Sequence, residues 1–89
     1  MRNIEIEWDE NSVDHIWSHH VEPEEVEESL RGRYVLRKGA HGSYYVYGQS
    51  YGGRYLFIVL GKKSSGHFRV VTTRDMNDAE RRRFAKQIR

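Results

Sequence analysis

Apolar and acidic residues alternate at the start of the chain, where Ile4, Ile6 and Trp8 are each followed by an acidic residue. A period of two is typical of a strand with one buried face, so this segment is predicted to form a first strand. Helical spacing follows, and either Asp9 or Asn11 is placed to cap that helix. The predicted apolar stripe of the helix consists of Val13, Ile16 and Trp17, with His20 as a further candidate.

A second helix is indicated by the signals at its two ends. Pro23 suits the first turn of a helix, and Gly32 is placed to stop it. Between them, Val26 and Leu30 provide a single narrow apolar edge. This helix is therefore expected to bury little of its surface.

Four runs rich in aromatic and β-branched residues come next, separated by short turns that contain glycine. Such runs predict strands, and turns this short favour an antiparallel meander. One of them is apolar on both faces over residues 55–60, so we expect that strand to be central and covered on both sides. The four predicted strands are Arg33–Lys38, Ser43–Gln49, Arg54–Lys62 and His67–Arg74.

A last helix is predicted over Asn77–Ile88, because Asn77 can cap it and Glu80 stands where a capping-box acid would be. The predicted order is β-α-α-β-β-β-β-α, which indicates an α+β fold with helices packed on an antiparallel sheet. Its 89 residues allow a single domain, and no linker or repeat interrupts residues 1–89.

Charge divides the chain into two unlike parts. Residues 1–30 contain ten acidic residues against Arg2 alone, a formal charge of −9. Residues 31–89 contain fourteen lysines and arginines against three acids, a formal charge of +11. The second part is therefore expected to bind an anionic partner, with RNA or DNA as the first candidates.

Composition excludes several classes of function. The chain has no cysteine, which rules out a disulfide framework, a thiolate nucleophile and a cysteine-based zinc site. The longest apolar run covers residues 55–60, far shorter than the roughly 20 residues of a membrane span. We therefore expect a cytoplasmic protein without membrane contact.

Three groups of motifs occur in a characteristic order. The first is IEWDE at 6–10, followed by His15, Ile16 and His19 and by PEEV at 23–26. The second is GGRYLF at 52–57, and the third is RVVTTRDM at 69–76 followed by ERR at 80–82. Together they resemble the BrnT family of toxins over residues 4–85.

This resemblance implies a RelE-like fold and a ribonuclease that is the toxin of a type II toxin–antitoxin pair. It also implies a cognate antitoxin, a small ribbon–helix–helix protein that binds DNA. Four positions depart from the family pattern. His20 replaces a usual glycine, Thr73 a small residue, Phe84 a frequent tyrosine and Ser43 a basic residue. The last two changes favour an alternative, a catalytically silent RNA-binding or protein-interaction module on the same fold.

RNA cleavage without a metal requires a base for the 2′-hydroxyl, cations for the phosphorane and an acid for the leaving oxygen. Arginine suits the second task because its planar fork matches phosphate oxygens. Arg69 and Arg74 lie on opposite faces of a regular strand, so they can share a phosphate only if the strand ends or twists between them. An ion pair of Arg74 with Asp75 or Glu80 is the structural alternative. The predicted catalytic residues are Arg69, Arg74, Glu80 and Arg81.

Further basic residues are predicted to bind RNA, although a solvated surface is the alternative for each. Histidine could also supply the base or acid, but no residue stands in an unambiguous position for that role. The tyrosines of the second and third runs could stack on unpaired bases or pack across strands. His15 and His19 have a spacing that could bind zinc, yet no third ligand is indicated, so neither a metal nor a cofactor is expected. The predicted RNA-binding residues are Arg37, His41, Lys62, Lys63, His67, Arg82 and Lys86.

Overall fold

A computed structural model describes residues 4–88, which form a small α+β domain of three helices and one four-stranded antiparallel sheet. The strands follow one another in the order β1-β2-β3-β4, so the predicted meander is confirmed. A short 3-10 turn, Ala40–Gly42, joins β1 to β2. The elements are α1 Glu10–Trp17, α2 Pro23–Arg31, β1 Val35–Lys38, β2 Ser43–Gln49, β3 Tyr55–Lys62, β4 Phe68–Asp75 and α3 Asp78–Gln87.

The predicted first strand is wrong, because the segment around Ile6 makes only one parallel bridge, to Phe68. The Glu7 amide donates to the Phe68 carbonyl at 2.8 Å, and the Phe68 amide donates to the Glu5 carbonyl at 2.9 Å. The chain then turns into α1, which leaves no length for a ladder. The alternation does identify the buried side, since Ile4, Ile6 and Trp8 all pack against the core.

Capping signals located the helix ends. Asp9, rather than Asn11, caps α1 by accepting a hydrogen bond from the Ser12 amide at 2.8 Å. Asn77 and Glu80 form the predicted capping box of α3. His20 does not belong to the apolar stripe, because α1 ends at Trp17 and His20 is exposed in the left-handed turn beyond it, with φ of 59°.

The core lies between the inner face of the sheet and the two acidic helices. Val46, Ile58 and Val70, one from each of three neighbouring strands, contact Ile16 of α1 and Val26 of α2 in one cluster from which solvent is excluded. The acidic N-terminal part therefore covers one face of the sheet. The charge boundary near residue 30 therefore lies within one domain.

The opposite, outer face is only partly covered. On β3, Leu56, Ile58 and Leu60 are fully buried, whereas the alternate residues are half-buried. The strand is central, as predicted, but the expected cover on both sides is complete on the inner side only. The helix α3 covers one end of the outer face, where Phe84 is 2% exposed and packs edge-on against Tyr55 at 6.0 Å between ring centroids.

A bulge in β4 decides which of its residues face outward. Val59 pairs with Thr72 and Leu60 pairs with Val70, which leaves Val71 as an additional residue. Val70 and Thr73 consequently both point into the core. Arg69 and Arg74 therefore lie on the same, outer face, whereas a regular strand would place them on opposite faces.

Candidate nucleic-acid interface

The outer face combines aromatic rings with positive charge. Tyr45 pairs with Arg37 on one side and with Val59 on the other, and side chains at paired positions share a face. Tyr45 and Tyr47 both pack against Phe57, at 5.3 and 5.2 Å between ring centroids. The face is thus a half-buried aromatic surface on the basic part of the chain.

At the α3 end of this face, Arg74 and Glu80 form a two-pronged ion pair. Nη1 of Arg74 donates to Oε1 of Glu80 at 2.8 Å, and Nη2 donates to Oε2 at 3.0 Å. The guanidinium lies 4.4 Å from the centroid of the Phe57 ring. Hydrogen bonding to Arg74 holds the pKa of Glu80 below its ordinary range, and the same bonds raise the pKa of Arg74. Glu80 is therefore an ionised carboxylate at neutral pH.

Arg81 lies over the neighbouring ring of the same strand. Its guanidinium is 4.7 Å from the centroid of Tyr55, which is two residues from Phe57 along β3. Two residues of a strand span about 7 Å, so two predicted catalytic arginines stand over adjacent rings. Arg82 joins Arg81 in lining a shallow depression of about 400 Å³, and Lys86 is exposed farther along α3.

The other end of the outer face contains a groove of about 550 Å³, which we call the distal groove. Its lining includes three predicted site residues, together with two aromatic rings. Arg69 faces the groove from β4, where it pairs with Gly61 of β3, whereas Arg74 pairs with Phe57. The two arginines are therefore separated along the strand by the distance from Gly61 to Phe57. That distance is four residues, or about 13 Å. The residues that define the distal groove are His41, Tyr45, Phe57, Lys62 and Arg69.

Two predicted RNA-binding residues, Lys63 and His67, do not line this groove. Nζ of Lys63 lies 2.8 Å from Oε1 of Glu7, and Nδ1 of His67 lies 2.6 Å from Oε2 of the same carboxylate. Nε2 of His67 lies 3.1 Å from Glu5. Hydrogen bonds from Lys63 and His67 lower the pKa of Glu7 to about 2. This cluster fastens the N-terminal segment to the edge of β4.

Sequence reasoning assigned no role to Arg54, which proves to be the most connected side chain near the site. It forms ion pairs with Asp75 and Glu25 and also donates to two backbone carbonyls. These partners come from three separate parts of the chain. The only local signal was an arginine placed directly before the apolar central strand.

The face of the strand on which each tyrosine lies decides whether it packs in the core or could stack on a base. Tyr44 lies on the inner face and packs against Phe68 at 5.7 Å, so it is a packing residue. Tyr45 and Tyr47 belong to the outer face, where an incoming base could reach a ring. Tyr51 is 68% exposed in the turn between β2 and β3.

Residues 4–88 contain no candidate metal site. The exposed rings of His15 and His19 lie 6.1 Å apart, and this part of the chain contains no group of three His, Cys, Asp or Glu residues that could hold a metal ion. None of the three helices is long and apolar enough to cross a membrane.

Comparisons of this chain with models of protein families, with curated proteins and with solved structures find no match. The residues of the outer face are therefore the main evidence for a function. The motifs that resemble the BrnT family add to it.

Proposed function

We propose that this chain is the toxin of a type II toxin–antitoxin pair, an RNA endonuclease that needs no metal and that a cognate antitoxin neutralises. Its α+β architecture would then be an example of the RelE-like fold. The observation that carries the proposal is the Arg74–Glu80 pair on the basic outer face, with Arg81 over the next ring. The same residues belong to the BrnT-like closing motif.

The proposed reaction is an attack by the ribose 2′-oxygen on the adjacent phosphorus. The phosphorus–O5′ bond breaks, leaving a 2′,3′-cyclic phosphate and a 5′-hydroxyl end. Glu80 is ionised and would accept the 2′ proton, as a base weakened by its lowered pKa, while solvent protonates the 5′ oxygen. Arg74 and Arg81 stabilise the charge that develops on the phosphorane oxygens.

Arg74 can take part in this reaction without giving up its partner. Its side chain is 43% exposed, whereas that of Glu80 is 15% exposed, so one edge of the guanidinium faces solvent. Nη1 and Nη2 bond Glu80, and Nη1 also donates to the Asp75 carbonyl at 3.0 Å, which leaves two of the five guanidinium donors. A phosphate could therefore approach the exposed edge while the carboxylate stays in place.

The test is cleavage of single-stranded RNA by the purified chain in excess EDTA. We expect cleavage to persist, and Arg74→Ala to reduce its rate by at least about a hundredfold, the typical loss for a transition-state donor. Arg31→Ala, a change at an exposed arginine at the end of α2, is the matched control and should cleave normally. Wild-type cleavage by Arg74→Ala would show that the catalytic assignment is wrong.

A second candidate function is a catalytically silent RNA-binding module. It is favoured by the Arg74–Glu80 ion pair, in which each side chain already has a partner. It is also favoured by the buried Phe84, because the BrnT family often has a tyrosine hydroxyl at this position. Such a module would bind RNA with strong salt dependence and release no product. A neighbouring reading frame for a small ribbon–helix–helix protein would favour the toxin, and its absence would favour the module.

A further inference from the structure

We infer that the distal groove is a nucleotide-binding subsite for single-stranded RNA. Tyr45 would stack on one unpaired base beside Phe57, and Arg69 with Lys62 would hold its phosphate. The inference rests on the proposed RNA substrate and deepens it. It separates a subsite that selects the RNA from the Arg74–Glu80 pair proposed to cleave it.

The aromatic part of the distal groove is fixed in place by its neighbours. The Tyr45 ring lies over Gly39, where any side chain would collide with it. Its hydroxyl accepts a hydrogen bond from the Ala40 amide at 3.4 Å, and Phe57 packs against it at an interplanar angle of 64°. A ring held in this way loses little freedom when a base stacks on it.

The cationic part is shaped by a second glycine. Arg69 lies across Gly61, with its Nε 3.6 Å from the place where a Cβ of that residue would be. Within residues 4–88, Arg69 and Lys62 form no ion pair, in contrast to Arg54 and Arg74. No acidic residue lines the groove. Both charges are therefore available to a phosphate.

Geometry also separates the cations of the distal groove from the reacting pair, and Phe57, which lines the groove and lies beneath Arg74, connects the two. The backbone positions of Arg69 and Arg74 stand about 13 Å apart along the strand. The Arg74 guanidinium is held at the α3 end by Glu80, so the two arginines would contact different phosphates. Stacking on a side chain requires a base that has left its own stack, so the subsite fits an unpaired nucleotide rather than a duplex. Base–aromatic stacking tolerates every base, and the subsite would select strand state more than sequence.

The experiment measures binding by fluorescence anisotropy, using a labelled single-stranded RNA of about ten nucleotides, which matches typical single-strand site sizes. Methylation of its 2′-oxygens prevents cleavage during the measurement. We expect Tyr45→Leu to weaken binding about tenfold, and Tyr45→Phe to weaken it less, because it keeps the ring and loses only the hydrogen bond from the Ala40 amide. The control Arg31→Gln should leave binding unchanged.

Salt dependence provides an independent readout that a purely structural role would not alter. Arg69→Gln should reduce the slope of log affinity against log salt by about 0.7, the value for one phosphate of a single strand. This measurement decides the matter if Tyr45→Leu fails to fold. A duplex of the same sequence should bind more weakly than the single strand.

The outcomes distinguish the subsite from the proposed function. If the wild-type chain binds no RNA, both are wrong, and the groove would instead serve another kind of partner, such as a protein. If RNA is bound, but Tyr45→Leu binds like Tyr45→Phe and Arg69→Gln keeps the wild-type slope, the subsite alone is wrong. Equal affinity for the duplex would also overturn it.

Discussion

Arg54 links three parts of the chain, so its replacement tests how the fold is held together. Its Nε and Nη2 atoms bond the two carboxylate oxygens of Asp75 at 2.7 and 3.2 Å. Nη1 donates to the His20 carbonyl at 2.6 Å and to Glu25 at 3.1 Å, and Nη2 donates to the His19 carbonyl at 3.3 Å. The two carbonyls lie in the turn between α1 and α2. Arg54→Ala removes all five contacts.

The expected loss of stability follows from the exposure of these groups. The side chain of Arg54 is 26% exposed and that of Glu25 28%, while that of Asp75 is 62% exposed. A hydrogen bond to a charged group contributes about 1.5–3 kcal/mol when shielded, but an exposed ion pair contributes under about 1 kcal/mol. Water can replace some of the lost contacts, so we expect Arg54→Ala to cost about 2–3 kcal/mol. In a domain of this size, that lowers Tm by about 10–20 °C.

Urea unfolding at pH 7, followed by tryptophan fluorescence, measures this loss directly. Arg54→Lys should restore less than half of it, because lysine keeps the charge but lacks the fork. Arg31→Ala, at an exposed position, should change stability by less than about 0.5 kcal/mol. A cost for Arg54→Ala as small as that of this control would refute the reasoning.

The same variant has a defined pH dependence. Hydrogen bonds from Arg54 lower the pKa of Asp75 below its ordinary value of 3.8. A carboxylate with a lowered pKa adds stability above its unfolded-state pKa, and that stability is lost as the pH falls through the folded-state pKa. The difference between wild type and Arg54→Ala should therefore be constant near neutral pH and narrow below about pH 4. It should not vanish, because the bonds to backbone carbonyls do not titrate.

Two further changes test other parts of the structure. Glu7→Gln should lower Tm at pH 7, because Lys63 loses its partner. The difference in Tm should disappear as the pH falls from 4.5, the ordinary pKa of Glu7, toward about 2, its pKa in the folded protein. Thermal melts across that range check this, and a difference unchanged at pH 2 would contradict it. Phe84→Ala should cost about 3–5 kcal/mol in urea unfolding, because the ring is 2% exposed beneath α3. A loss below about 1 kcal/mol would show that α3 packs weakly on the sheet.

Local signals explain why most elements were predictable from the sequence. Pro23 and Gly32 mark the two ends of α2, and Asn77 with Glu80 marks the start of α3, because each acts within a few residues. Glycine-bearing turns delimit the four strands in the same way. The prediction of a strand around Ile6 was wrong, because alternation shows only which side is buried. A β-ladder also needs a partner strand and enough length.

The site was less predictable, because its charges are paired across long stretches of sequence. Residue type correctly indicated a basic surface, but it could not show which cations already have partners. Lys63 meets Glu7 across 56 positions and Arg54 meets Glu25 across 29. In contrast, Arg74 and Glu80 are six residues apart, so their pairing was foreseeable as an alternative. Ion pairs between residues close in sequence can therefore be predicted from the sequence, whereas those between distant residues cannot.

One additional residue in β4 determines the composition of the outer face. A regular strand would turn Arg74 toward the face that carries Val70, where the acidic helices pack. The bulge at Val71 reverses the parity, and buried Thr73 stabilises the new register by donating to the Phe57 carbonyl at 2.9 Å. Four consecutive β-branched residues, VVTT, satisfy either register locally, so only the burial of side chains against β3 and the helices decides between them. The pairing of the strands thus places both arginines on one surface, which no count of charges along the sequence could have established.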